Sequence, residues 1–260
     1  MADPLLAVLD EARKTSGEQA SGPVVRERPA DDSELRIVYC ACPASELPVV
    51  IRREIELARE LGADFEWKLY GHDQPAELAG ALRAAGLEPE ERETVLALDL
   101  RALPTTITDR LGDPGEVRLV DATGLADYER ISVESGRRNA AAERARIADS
   151  WAEHPAGLQV HVAYRDGVPV SGGRLYLPTG EALANHGMAE LAGGRTVPAH
   201  RRQGYFTATV LSRISAAIAA GAQTLWVDAL PTSAPILSKL GFTAVTWTEP
   251  YVLSDRTDSE

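Results

Sequence analysis

The chain has 260 residues, 44% of them hydrophobic, enough to bury a sizeable core in one large or two modest domains without crosslinks. Asp and Glu outnumber Lys and Arg by 39 to 27, and the formal net charge of -12 disfavours nucleic acid and acidic membranes as partners while a cationic small substrate is easily accommodated. Cys40 and Cys42 are close neighbours at a strand end, with no second Cys or His pair at ligand spacing, so they read as buried reduced thiols rather than a metal site.

The first residues lack a basic start and an apolar h-region, and no apolar run approaches membrane-spanning length, which predicts a soluble, cytoplasmic protein. Leu5, Leu6, Val8, Leu9 and Ala12 give residues 3 to 13 a helical period; a polar stretch follows to about 33, so 1–33 is expected to be a partly flexible lead segment. Residues 34–101 read as a smaller β-α-β-α-β unit. Its elements are strand LRIVYC, helix PVVIRREIELARELG stopped at Gly62, strand FEWKLYG, helix PAELAGALRAAG ending at Gly86, and strand ETVLALDL. The stretch RALPTTITDRLGDPGE, rich in Pro and Gly, reads as a linker over 102–116.

A second unit, 117–254, begins with strand VRLVD and helices LADYERISVESG and AAAERARIADSWAEH. Two strands joined at Asp166-Gly167 follow, with GGRLYLP extending the meander. After strand GMAELAGGRTV comes the stretch VPAHRRQGYF, then a helix whose Phe206, Val210, Leu211, Ile214 and Ile218 keep helical spacing up to Gly221. The apolar strand TLWVDAL, a short helix with Pro235 in its first turn, and strands FTAVTWT and YVLSD complete the chain. The spacing from Gly62-Ala63 to Trp67 repeats from Gly221-Ala222 to Trp226, so the first unit reads either as a partial copy of the second or as a chance likeness. Trp67, Trp226 and Trp247 are expected in the core.

A strand, a glycine turn and a helix start aim unpaired backbone N–H groups at one point, which attracts phosphate. In VPAHRRQGYF the features needed are Gly204, where a backbone must approach the ligand, and the cations Arg201 and Arg202; a solvated basic turn has the same composition. The stretch resembles the acyl-CoA-binding signature of the GNAT N-acetyltransferase superfamily, Q/R-x-x-G-x-G/A. Arg201 and Gly204 match, Pro198 precedes the turn, and Phe206 stands where Gly or Ala is usual. TLWVDAL and ILSKLGF resemble the strand and helix that follow in that family, and the element order of 117–254 is that of its whole domain.

The resemblance implies an α/β (α+β) fold with a mixed twisted sheet flanked by helices. It implies acetyl-CoA as co-substrate, its pyrophosphate held by the amides of Arg202, Gln203, Gly204, Tyr205 and Phe206 with Arg201 and Thr207 alongside, and its pantetheine arm along Arg195, Thr196 and Val197. Acetyl transfer to an amine needs a base, an oxyanion site and a proton for the thiolate. Glu190 stands near the family's usual base; a solvent-facing or paired strand carboxylate is its structural alternative. Asp228, in an apolar strand, is the second candidate and must be paired, hydrogen-bonded or neutral. The family's usual acid position is Leu237 and its common asparagine position Leu230, leaving Ser238, Tyr251, Tyr205 or water to protonate the thiolate. Thr232 and Ser233 read as helix caps, YGHD at 70–73 as a turn that could border a pocket, and His161, His186 and His200 as scattered residues without a metal role.

The sequence thus points to an N-acetyltransferase acting by direct attack in a ternary complex on a primary amine, a small molecule or a protein amine. The alternative is a non-catalytic acyl-CoA-binding or regulatory module. A nucleotide-binding protein is disfavoured because the turn has no P-loop lysine-serine pair. Homodimerisation is left open.

Overall fold

The computed structural model describes residues 4–16, 18–19, 23–28, 33–111 and 115–253. In chain order its elements begin α1 (Pro4–Thr15), β1 (Glu18–Gln19), β2 (Val24–Glu27), β3 (Glu34–Cys40), α2 (Leu47–Leu61), β4 (Asp64–Tyr70), α3 (Leu78–Ala84), β5 (Leu87–Pro89), β6 (Glu93–Asp99) and α4 (Thr105–Thr108). They continue with β7 (Val117–Val120), α5 (Leu125–Glu134), α6 (Ala140–Glu153), β8 (Leu158–Arg165), β9 (Val168–Tyr176) and α7 (Gly180–Asn185). Last come β10 (Met188–Thr196), α8 (Tyr205–Ala219), β11 (Thr224–Ala229), α9 (Ala234–Leu240) and β12 (Thr243–Leu253). Of the lead segment 1–33 expected to be partly flexible, residues 1–3, 17, 20–22 and 29–32 lie outside the described set; α1, β1 and β2 take up most of the rest.

Contacts divide the chain into two compact units, Met1–Val95 with Val245–Glu260, and Leu96–Ala244. The boundaries differ from those suggested by a linker at 102–116, for two physical reasons. Leu96, Leu98, Leu100 and Ile107 bury their side chains in the core of the second unit, and Thr106 donates to the Leu240 carbonyl at 2.7 Å. The end of β12 pairs with β4 and β5 of the first unit. FTAVTWT and YVLSD, expected as two strands, are one strand, because Pro250 uses its carbonyl there, accepting from the Glu90 amide at 2.8 Å.

In the first unit β3 and β4 run parallel, β2 and β12 flank them antiparallel, and α2 lays Val50, Ile51, Ile55 and Ala58 on the core around Trp67. Arg13 of α1, only 3% exposed, donates to the Val38 carbonyl, Asp10 and Asp73, and its guanidinium stacks 3.7 Å over the Tyr70 ring. His72 bonds Asp10 and Thr246, and Gly71 packs against the Trp247 ring where no Cβ would fit. The YGHD segment is thereby pinned as a structural turn. Cys40 and Cys42 are free and buried with their sulfurs 3.6 Å apart, and burial pushes the Cys40 thiol up.

In the second unit β7, β8, β9 and β10 form an antiparallel meander, and β11 lies parallel to β10. The hairpin turn at Asp166 and Gly167 has φ of 50° and 75°, the left-handed pair that a two-residue turn needs. One sheet face packs on α8 and α9 through Leu175, Ala189, Leu191, Leu225 and Val227; the other packs on α5 and α6 through Leu158, Val160 and Val162. Helices α2 and α8 end alike: the Ala63 amide donates to the Ala58 carbonyl at 2.9 Å and the Ala222 amide to Ala217 at 3.0 Å, each after a left-handed glycine. The Gly-Ala part of the repeated spacing is thus the same kind of helix ending in both places. Trp67 is fully buried, whereas Trp226 and Trp247 are half-buried.

Candidate active site

Strands β10 and β11 pair only over Met188–Glu190 and Thr224–Trp226. Beyond the Glu190–Trp226 pair β10 runs on to Thr196 and β11 to Ala229 without further registered pairing between them, so the parallel strands fork. A fork leaves backbone edges of the kind an extended ligand arm can pair with. Glu190 stands at its apex. Because side chains alternate along a strand and Ala189 and Leu191 enter the core, Glu190 faces the opposite side with its register neighbours Trp226 and Tyr176. Asp228 lies two residues along β11 on that side, its carboxylate oxygens out of contact with solvent. On the far edge β10 bulges between Ala192 and Arg195, with Gly193 at φ 58°.

After β10 the chain makes a single 3₁₀ turn, Pro198–His200, takes Arg202 to φ 60° and Gly204 to φ 92°, and enters α8 at Tyr205. Among the described residues the amides of Arg202 to Thr207 find no protein acceptor, and the first bond of the helix is Ala208 to the Gly204 carbonyl at 2.9 Å. A Cβ added at Gly204 would meet nothing within 4 Å, so the space above the turn is open and φ alone demands glycine. An open cavity of about 240 Å³ adjoins it, lined by Gln203, Gly204, Tyr205, Ala208 and Ala163. Unspent amides at the start of a four-turn helix make an anion site whose field needs no side-chain charge. The arginines contribute little to it: Arg201 donates to the Thr196 carbonyl, and both are exposed.

Phe206, the departure from the signature, turns inward. Its ring packs on the core and over Gly194, whose missing Cβ makes the room. Tyr205 stacks edge-on against His200 at 6.2 Å. Thr196 bonds Ser171 at 2.8 Å, and the Val197 amide is spent on the Val170 carbonyl. Arg195 is committed to the scaffold, with its guanidinium on both oxygens of Glu143 at 2.7 and 2.9 Å.

Tyr251 belongs to the first unit, fully buried, its hydroxyl donating to Glu249 at 3.0 Å, and burial and that bond raise its pKa. Leu237 is buried in the core, Leu230 and Ser238 are exposed, and Ser233 makes no capping bond, donating instead to the Leu230 carbonyl. His161 is buried and its pKa is lowered to about 3, by burial first and then by Arg213, which keeps it neutral against Ser212 and Gln159. No group of metal-ligating side chains occurs among the described residues.

Sequence reasoning missed a buried charge network under the bulge. Tyr128 and Arg195 both donate to the Gly193 carbonyl, at 2.8 and 3.1 Å, and Arg195 also donates to Ser132. Burial opposes the ionised form of Glu143, but the bonds from Arg195 and the charge of Arg174 hold its carboxyl below the ordinary range. Arg213, fully buried, donates to the carbonyls of Thr209, Arg174 and Ala192, and burial lowers its pKa to about 10. The signal was present in two glycine pairs. Gly172 and Gly173 face Tyr128 and Arg213, and Gly193 and Gly194 face Tyr128, Arg174 and Phe206.

No family model matches the sequence, and no curated protein matches it in sequence. Solved structures do match. A GCN5-related N-acetyltransferase from Kribbella flavida is 18% identical with a TM-score of 0.68, covering 96% of this chain and 94% of that one. A putative GNAT-family acetyltransferase from Novosphingobium aromaticivorans is 14% identical with a TM-score of 0.58, covering 94% and 95%. A tandem GNAT protein from the clavulanic acid biosynthesis pathway is 13% identical with a TM-score of 0.57, covering 85% and 74%. With helices on both faces of a mixed sheet and a forked parallel strand pair, the chain has the fold of the GNAT N-acetyltransferase superfamily.

Proposed function

We propose that the protein is an acetyl-CoA-dependent N-acetyltransferase that acetylates a primary amine by direct attack in a ternary complex. The observation that carries this reading is the open nest of amides at Arg202 to Thr207 beside a strand fork with a carboxylate at its apex. Acetyl-CoA, when bound, supplies the activated thioester. The amides of Arg202, Gln203, Gly204, Tyr205 and Phe206 hold its pyrophosphate, and the exposed edge of the fork orients the pantetheine arm. Glu190 takes the proton of the attacking amine, directly or through a water, with Asp228 the second candidate. Leu237 offers no proton and the Tyr251 hydroxyl is spent on Glu249, which leaves Ser238, Tyr205 or water to protonate the leaving thiolate. The first unit is read as a degenerate copy serving as scaffold, on the strength of the shared helix endings.

Titration calorimetry with acetyl-CoA is expected to give saturable binding; none at millimolar cofactor would end this reading. Gly204→Val should weaken binding roughly tenfold or more, because a β-branched residue does not hold φ 92° and the turn must rearrange. Leu237 favours the second reading, a non-catalytic acyl-CoA-binding module. Turnover of labelled acetyl-CoA across a panel of amines separates the two.

A further inference from the structure

The bulge of β10 gathers three guanidinium groups, and they are not equally used. Arg195 takes both oxygens of Glu143, and Arg213 spends its donors on backbone carbonyls. Arg174 is left 3.4 Å from one Glu143 oxygen, and among the described residues its side chain makes no hydrogen bond; its Nε is buried without a partner. An arginine carries five N–H donors arranged to grip a carboxylate or phosphate, and leaving them unspent in a mostly buried site is costly.

The position of this guanidinium links it to the chemistry. A Cβ added at Gly193 would meet Arg174 Nε at 2.9 Å and Nη2 at 3.1 Å, so the group lies over the bulge, three residues along β10 from Glu190. Glu190 pairs with Tyr176, which makes Arg174 its diagonal neighbour across β9 and β10, about 7–8 Å away and on the same face. About 20% of the Arg174 side chain remains open.

We propose that Arg174 is a specificity-determining residue that binds an anionic group on the acceptor, so that the substrate class is a short amine bearing a carboxylate, with its amine at Glu190 and its carboxylate on the Arg174 guanidinium. The proposal rests on the acetyltransferase reading of this site. Arg174 and Glu190 also interact electrostatically: burial works against the charge of Arg174, but Tyr176, Tyr128, Glu143 and Glu190 outweigh it and raise its pKa. A zwitterionic acceptor supplies one opposite charge to each of them. It also reconciles an arginine-rich site with a chain whose net charge of -12 disfavours plain anions.

The test compares initial rates of acetylation, with saturating acetyl-CoA, for α- and β-amino acids and for the same amino acids as carboxamides. The carboxylate member of at least one pair is expected to show a kcat/KM about 10- to 100-fold higher, and R174A to collapse that ratio towards one, with R174K restoring part of it. The wild-type comparison stands even where the variants fold poorly. If amines are acetylated and no carboxylate outpaces its amide, the inference is overturned and the transferase reading survives; if acetyl-CoA binds and no amine is acetylated, the inference falls and the non-catalytic reading takes its place. If calorimetry shows no acetyl-CoA binding, both fall.

Discussion

Replacement of Glu190 by glutamine is expected to lower turnover by about 10²-fold or more while acetyl-CoA affinity stays within about twofold, because positioned general bases contribute roughly 10²- to 10⁴-fold. The substitution keeps the shape of the side chain at the apex of the fork and removes only its capacity to take a proton. On the proposed reading cofactor affinity is set elsewhere, by the amides of Arg202 to Phe206 and the open edge of β10. Asp228→Asn, on the same face of β11, is the matched comparison. Should it abolish turnover while Glu190→Gln leaves kcat unchanged, the base is Asp228 and the order of the two candidates is reversed.

The turn that carries the nest was legible in the sequence because everything it needs is local: Gly204, the proline before it, a strand behind and an apolar-striped helix ahead. Glu190 was legible by its place on the preceding strand. The fork beside Glu190 was not, since it depends on where pairing between Met188–Glu190 and Thr224–Trp226 stops, and the hydrophobic pattern of a strand fixes which side chains face the core but not where its pairing ends. The surroundings of Tyr251 were hidden for a related reason. The residue follows the second unit in the chain, but its strand pairs with β4 and β5 and its side chain fills the first unit's core. The Glu143–Arg195 pair, 52 residues apart, was invisible to any local pattern, although the small residues Gly193 and Gly194 marked where bulky groups converge.

Glu143→Gln is expected to cost about 3–5 kcal/mol of stability, the usual range for removing one partner of a buried ion pair. Each side chain of the pair is only 9% exposed, and Glu143 is the carboxylate bonded to Arg195 and nearest Arg174 at the bulge. Without it Arg195 and Arg174, which share Glu143 Oε1 at 2.9 and 3.4 Å, lose the negative charge between them in a site where solvent screens them poorly. Set against a total of about 5–15 kcal/mol, this is enough to shift urea and thermal midpoints by a wide margin. The pH dependence has a definite sign. The carboxyl pKa is held below its ordinary value of 4.5, so its contribution is fully present above that pH and is lost as pH falls through the lower folded-state value. The gap between wild type and E143Q should therefore be constant near neutrality and close in acid. Replacing both partners, Glu143→Leu with Arg195→Met, should be milder than the single change, because no charge of the pair is then left buried alone. A single variant unfolding within 1 kcal/mol of wild type would show that water, rather than Glu143, compensates these arginines, and that the Glu143–Arg195 pair does not hold the bulge.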